Sequence, residues 1–159
     1  PRATRTVAAH EPRPPRAVEA MRLEKGFLHW KGDILTEFDP FETGLDRFVR
    51  FDKPDFVGKA ALQARMAARP QKKLVTLAVD CTDRPAHPGS SLMEDGRFVG
   101  TVTSGAWGHR VGMNLAYAFV EPGLADPGTA VTLDLLGDMI PAKVIAPCPY
   151  DPGFDRLRA

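Results

Sequence analysis

The sequence of 159 residues has little cysteine, almost no net charge and no long apolar run. Its two cysteines, Cys81 and Cys148, are not spaced as a metal-binding motif, and small secreted domains usually carry more; a reducing cytoplasm is therefore the predicted location. No apolar run approaches the roughly 18 residues of a membrane-spanning helix, so we expect no membrane partner. The net charge of +1 is too small to attract nucleic acid strongly, so none is expected as a partner.

The motifs of several large enzyme classes are absent as well. The sequence has no G-x-G-x-x-G, no P-loop, no H-E-x-x-H and no G-x-S-x-G. This excludes the dinucleotide fingerprint, the phosphate-binding loop, the zinc-protease helix and the hydrolase nucleophile elbow from this stretch of chain. No residue is predicted to be catalytic, and no metal site is predicted.

What the sequence does contain, after Pro70, is a series of short strand-like runs separated by glycine and proline. The hairpin signal Asp95-Gly96 is the strongest of the turns. This pattern predicts a small antiparallel β-barrel over about 72–148. In its first strand, either Leu74, Thr76 and Ala78 or Val75, Leu77 and Val79 should face the interior. The predicted strands are Lys72–Asp80, Ser91–Glu94, Phe98–Ser104, Leu115–Val120, Val131–Leu136 and Ile140–Ala146.

The first 70 residues differ from this pattern. Residues 1–16 are rich in proline and arginine and are predicted to form an extended or weakly ordered arm. A short helix is predicted over Ala17–Leu23, a strand over Glu42–Phe51, and a clear helix over Asp55–Ala68, packed at the edge of the barrel and closed by Pro70. The predicted fold class is therefore α+β, mainly β: an α/β tail followed by a small barrel, with a boundary near residue 70.

The segment Met21–Leu45 mixes apolar and charged residues in an unusual way. Leu23 and Trp30 could bury one face, yet Arg22, Glu24, His29 and Asp33 lie among the apolar positions. Burying such charges costs several kcal/mol unless each one finds a partner. Two solutions remain open on the residues alone: an internal ion-pair network, or a partly enclosed site whose polar ligand supplies the partners.

Three blocks of the sequence resemble the glycine cleavage T-protein (aminomethyltransferase) family. They are RLEKGFLHWKGDI with PFETGLDRFV, then GTVTSGAWGHRVGMNLAYAFV at Gly100–Val120, and PYDPGFDRLRA at the end. Within the first block, the residues HW and DRFV are more similar to the folate-binding portion of sarcosine and dimethylglycine dehydrogenases and oxidases than to the T-protein itself. The resemblance covers about residues 17–159. It implies that 17–70 ends the central folate-binding domain and that 71–159 is the C-terminal barrel domain.

The resemblance also implies a ligand, tetrahydrofolate, with FAD only in a longer parent enzyme. Folate needs an aromatic wall and cations for its glutamate tail. The candidate folate-binding residues are Arg22, Glu24, Trp30, Trp107 and His109. Trp107 and His109 belong to a stretch, Thr103–Arg110, that is predicted to be a glycine-broken loop approaching a ligand or a neighbouring domain. For Arg22 and Trp30, a purely structural role is the alternative.

The family has a long region before the RLE segment, and the chain starts at Pro1 rather than Met. We therefore expect a C-terminal fragment whose partner is the missing N-terminal part of the same polypeptide. The catalytic acid and the pterin-reading glutamate would lie in that part, so this chain alone is predicted to be inactive. The small-molecule partner would be an N-methyl amine or another aminomethyl donor. A stand-alone aminomethyltransferase or demethylase, and a non-catalytic docking module, are the alternatives.

Overall fold

The computed structural model describes residues 15–158, without the side chains of Pro15 and Leu157. Two helices precede six strands, and a single turn of helix follows them. The elements are α1 (Pro15–Lys25), α2 (Lys59–Ala68), β1 (Lys73–Val79), β2 (Ser91–Glu94), β3 (Arg97–Gly108), β4 (Met113–Val120), β5 (Ala130–Leu135), β6 (Asp138–Ile145) and α3 (Asp155–Arg158). The predicted arm lies outside the described residues, apart from Pro15 and Arg16, which begin α1.

The six strands form a closed antiparallel barrel in the order β1-β4-β3-β2-β5-β6. The predicted barrel and its hairpin at Asp95-Gly96 are confirmed. Both hairpin residues have positive φ, 49° and 78°, as a tight two-residue turn requires. Closure pairs every strand on both sides, so the barrel has no open sheet edge.

The barrel interior takes one of the two predicted sets from β1. Val75, Leu77 and Val79 face inward, and Leu77 is fully buried. Leu77 lies between Ala116 of β4 and Val144 of β6. Small residues on β4 leave room for larger ones on β1 and β6, because side chains from all strands share one narrow core. The interior is therefore entirely apolar along β1.

Helix α1 covers the outer face of β3 and β4. Its Ala20 and Leu23 are buried against Ala106, Leu115 and Tyr117. The two apolar residues lie three positions apart and so project from one face of the helix. This contact brings the end of α1, with the sequence RLEK, over the outer side of the barrel.

The predicted strand over Glu42–Phe51 is wrong. The segment consists of turns and a short 3-10 helix over Asp46–Phe48. The carboxylate of Asp39 accepts hydrogen bonds from the backbone N–H groups of Phe41 and Glu42, which starts a turn, and Gly44 continues it with a φ of 70°. Residues of β type favour a strand only where they pack against a neighbouring strand. This segment lies outside the six strands of the barrel.

The predicted helix at Asp55–Ala68 exists but starts later, after Gly58, whose φ is 91°. The expectation that it packs at the barrel edge is wrong, because none of its residues is buried. It is tied to the preceding segment by Arg65, which lies 2.9 Å from Asp39 and 3.7 Å from Glu42. Among residues 15–158, no helix has the length and apolar character needed to cross a membrane.

Candidate functional site

The guanidinium of Arg22, near the end of α1, has a partner for every one of its five N–H donors. Glu19 accepts two of them on the same helix, through Nε at 2.8 Å and through Nη2. The others go to the carbonyl of Phe27 at 3.1 Å, to Asp33 at 2.6 Å and to the hydroxyl of Ser104 at 2.6 Å. A fully occupied guanidinium holds its neighbours in a fixed planar arrangement.

The carboxylate of Asp33 is fully buried and accepts four hydrogen bonds. One oxygen receives Arg22 at 2.6 Å and the backbone N–H of His29 at 2.9 Å. The other receives the hydroxyls of Thr103 and Ser104, both at 2.6 Å. Four donors, one of which is the Arg22 cation, compensate the desolvation of a buried charge. Arg22 and Asp33, together with Glu19, thus form an internal ion-pair network, one of the two solutions left open by the sequence.

Two ionisable groups in this network have shifted pKa values. Burial by itself lowers the pKa of Arg22, but the hydrogen bond to Glu19 and the charges of Asp33 and Glu19 leave it above its ordinary value. Burial raises the pKa of Tyr117, whose ring lies under Arg22 with 5.6 Å between Cζ and the ring centroid. Both groups therefore keep their protons throughout the physiological range.

Glu24, two residues after Arg22, is buried and holds the turn between β3 and β4. Its Oε1 accepts the backbone N–H groups of Arg110 and, at 3.1 Å, of Val111. A carboxylate that accepts two adjacent backbone donors fixes a turn strongly, because the bonds are charge-assisted. The two charged residues of the RLE motif thus attach α1 to two different points of the barrel.

Trp30 lies on a tight turn after α1 and is 58% exposed. The carbonyl of His29 accepts the N–H groups of Gly32, Asp33 and Ile34, and Lys31 adopts a φ of 66°. The turn is anchored by Asp33, while the indole above it remains accessible. The exposure of Trp30 argues against a core role for this side chain.

The predicted loop over Thr103–Arg110 is largely a strand. Residues up to Gly108 belong to β3, with Trp107 half-buried opposite Asn114, and only the turn that contains the exposed His109 is loop-like. The close approach inferred from the glycines is made to the barrel itself, since a Cβ on Gly105 would collide with the carbonyl of Ala86. Glycine is thus needed at this position by packing.

The segment that follows the barrel folds back onto the end of α1. The ammonium of Lys25 donates to the carbonyl and carboxylate of Asp151 at 2.6 and 2.7 Å, and it lies 3.9 Å from the ring centroid of Phe154. The backbone N–H of Tyr150 donates to the carbonyl of Glu24 at 2.9 Å. The hydrogen bond to Lys25 lowers the pKa of Asp151. These contacts form a latch between residues 126 positions apart.

A cleft of about 550 Å³, the cationic cleft, lies between α1 and this latch. Arg110 and Arg156 lie 6.0 and 5.7 Å from the ring centroid of Tyr150. Neither arginine pairs with a carboxylate anywhere in residues 15–158. The cleft is lined by Val18, Met21, Arg22, Glu24, Lys25, Phe27, Arg110, Tyr150, Asp151 and Arg156. Converging cations beside an aromatic ring can hold a ligand that carries a carboxylate.

A second cleft, the apolar cleft, has a volume of about 610 Å³ and lies between residues 26–48 and the barrel. Phe27 lines both clefts. Its other walls include Leu28, Leu45 and Phe48, with Arg47 at the same site. The two clefts together place an apolar site next to a cationic one.

The structure brings Arg22 and Glu24 together in the wall of the cationic cleft, whereas Trp30, Trp107 and His109 line neither cleft. Sequence reasoning missed Lys25, Arg110, Tyr150 and Arg156. The block PYDPGFDRLRA, which contains Tyr150 and Arg156, was noted for its resemblance to the family. Nothing in its sequence indicates that it packs against α1. No group of three potential metal ligands occurs in the described part of the chain.

Comparisons with known proteins identify a family for this chain. The family model of the glycine cleavage T-protein C-terminal barrel domain matches residues 72–151. The chain is 36% identical to mitochondrial dimethylglycine dehydrogenase of Mus musculus over 130 residues, 81% of this chain and 15% of that protein. It is 39% identical to an aminomethyltransferase of Saccharopolyspora erythraea over 129 residues, 80% of this chain and 35% of that protein.

A solved structure resembles the fold of most of this chain. The glycine cleavage system aminomethyltransferase T from Bartonella henselae matches with a TM-score of 0.80 and 26% identity, covering 86% of this chain and 38% of that one. The chain therefore spans well under half the length of these relatives. The matched barrel, the sequence relatives and the shared fold together show that this chain belongs to the glycine cleavage T-protein family, as its C-terminal barrel domain with the segment before it.

Proposed function

We propose that this chain is the C-terminal portion of a longer, tetrahydrofolate-dependent one-carbon transferase, and that the cationic cleft receives the glutamate tail of the folate. The observation that carries the proposal is the pair of arginines beside Tyr150 that have no carboxylate partner within residues 15–158. A tail carboxylate can pair with them, while the adjoining aminobenzoyl ring can pack against Phe27, where the two clefts meet.

Within this proposal the five candidate residues divide by what they do. Arg22 and Glu24 keep the wall of the cleft in place, since their polar atoms are already engaged. Trp30 lines neither cleft, and its exposed indole would border only a part of the ligand that extends beyond them. Trp107 and His109 lie at the far end of β3, where they would contact either the ligand or the remaining polypeptide.

The parent enzyme in this proposal is a flavin-dependent dehydrogenase of the dimethylglycine or sarcosine type. Its flavin domain would oxidise an N-methyl amine, and the folate module would capture the one-carbon unit. FAD would bind upstream of this chain. The catalytic acid and the pterin-reading glutamate would also lie upstream, so this chain alone would be inactive, and its location would be cytoplasmic.

A stand-alone aminomethyltransferase is the second candidate. It is favoured by the 39% identity to the bacterial aminomethyltransferase, which slightly exceeds the 36% identity to the mammalian dehydrogenase. A dinucleotide-binding motif in the coding sequence upstream of Pro1 would decide for the flavoenzyme, and an upstream region of only a few hundred residues without one would decide for the transferase.

The tail site is testable on this chain because it lies within it. Titration of the isotope-labelled chain with p-aminobenzoylglutamate, the tail half of folate, should shift the backbone amide resonances of Lys25, Arg110 and Tyr150. Pterin-6-carboxylate, which lacks the glutamate, should leave these resonances largely in place. Equal shifts with both probes, or shifts confined to the opposite side of the barrel, would refute the site.

A further inference from the structure

Asp33 touches three separate parts of the fold at once. Its four hydrogen bonds come from Arg22 on α1, from His29 on the turn that carries Trp30, and from two adjacent hydroxyls on β3. It is fully buried, so it cannot itself be the accessible group that meets a ligand. Any influence it has on binding must pass through the groups that it holds.

The local shape of β3 is what allows both hydroxyls to reach one carboxylate oxygen. Adjacent residues of a regular strand point to opposite faces. Here the pairing with β4 skips Thr103: Val102 lies opposite Ala118 and Ser104 lies opposite Tyr117. This bulge re-aims Thr103 toward the same side as Ser104. The bulge thus lets the hydroxyls of Thr103 and Ser104 bind the same oxygen of Asp33.

We propose that Asp33 is a positioning residue of this site: through it, the bulge of β3 fixes the orientation of both Arg22 and the turn that carries Trp30. The turn has no other side-chain anchor to the barrel among the hydrogen bonds of residues 15–158. Arg22 keeps Glu19 as a counter-ion when Asp33 is neutralised, so the expected effect is a loss of orientation rather than an orphaned charge.

The first arm of the test follows Trp30 directly and needs no ligand. The chain has two tryptophans and hence two indole N–H resonances, which a Trp107→Phe variant assigns. Asp33→Asn should shift and broaden the Trp30 resonance, because an amide cannot accept on both sides. Asp33→Glu should do the same despite keeping the charge, because the added methylene misplaces the oxygens. Rescue by Asp33→Glu would overturn the proposal.

A matched control and a milder variant separate positioning from a general loss of stability. Glu42→Gln removes another buried carboxylate of the same segment, one that accepts N–H groups of Asp39 and Gln71, and it should leave the Trp30 resonance unchanged. The double variant Thr103→Val, Ser104→Ala keeps Asp33 but removes the two hydroxyls of β3 that bind it. It should therefore also shift the Trp30 resonance. If Asp33→Asn proves unfolded, this double variant decides: an unshifted Trp30 resonance overturns the proposal.

The second arm measures folate affinity in the full-length polypeptide, and it rests on the proposed function. With 5-formyltetrahydrofolate as the probe, Asp33→Asn and the double variant should each weaken binding by roughly tenfold, the lower end of what loss of an orienting partner costs elsewhere. Glu42→Gln should bind like the wild type. If folded Asp33→Asn binds folate with unchanged affinity, the proposal that Asp33 positions the site is overturned. If the wild type itself binds no folate, the proposed function is refuted, and the first arm alone tests the role of Asp33.

Discussion

The two faces of the β3-β4 pair are stabilised in different ways. The inner face is apolar, with Val102, Ala118 and Val120 in the core of the barrel. The outer face, beneath α1, combines apolar contacts with buried ions, which hydrogen-bond to one another and to the turns around them. Apolar burial is non-directional and tolerates small shifts. Hydrogen-bonded ions fix orientation, and the candidate site lies on that side.

Removing a cation from the outer face should have the largest effect. Arg22→Ala leaves the buried Asp33 without its counter-ion, which should lower the free energy of unfolding by about 3–5 kcal/mol. Chemical denaturation measures this loss. Arg22→Lys, which keeps the charge but not the five-donor fork, should fall between wild type and alanine. A stability of Arg22→Ala within error of the wild type would mean that the network is weak.

A truncation of the inner face should cost almost as much but act differently. Leu77→Ala opens a cavity at a fully buried position and should lower the free energy of unfolding by about 2–5 kcal/mol. Because the change lies on the inner face, the Trp30 indole resonance should stay in place under conditions where the variant is folded. A displaced Trp30 resonance in this variant would break the distinction between the two faces.

Glu24→Gln should have a smaller, local effect. The amide oxygen can still accept the N–H groups of Arg110 and Val111, but without the strength that a charge adds, so we expect a loss of about 1 kcal/mol. Hydrogen exchange at these two amides should become faster, while amides in β1 should exchange as before. Uniform acceleration across the barrel would instead indicate that Glu24 supports the whole fold.

The smallest effect concerns the latch and depends on pH. Lys25 lowers the pKa of Asp151 in the folded chain below its ordinary value of 3.8. The stabilisation is therefore fully present above that value and is lost as the pH falls through the lower, folded-state pKa. Acid titration should release the latch, seen as movement of the Tyr150 amide resonance, and Asp151→Asn should abolish this pH dependence. Persistence of the transition in that variant would assign it to another group.

The inner face was more predictable from the sequence than the outer one. Glycine and proline turns and the alternation of Val75, Leu77 and Val79 are local signals, and they specify strands and a barrel. The extension of β3 through Trp107 was missed because its glycines were interpreted as a loop, when Gly105 is required by the nearby Ala86 backbone.

The outer face depends on contacts between residues far apart in sequence. Lys25 and Asp151 are 126 positions apart, and Asp33 and Ser104 are 71 apart. No local pattern indicates such pairs. The charged residues of the RLE segment indicated that hydrogen-bonding or ionic partners were needed. Only the fold shows that most of those partners belong to this chain.

The most direct test of the tail site compares two ligands in the full-length polypeptide. Arg110→Gln combined with Arg156→Gln removes the two cations of the cationic cleft, and Arg97→Gln, on the barrel but lining neither cleft, is the control. The double variant should lose affinity for 5-formyltetrahydrofolate by at least about tenfold, roughly 1.4 kcal/mol, while its affinity for the tail-free pterin stays the same. Equal affinities of the double variant, the control and the wild type for the folate would contradict the account.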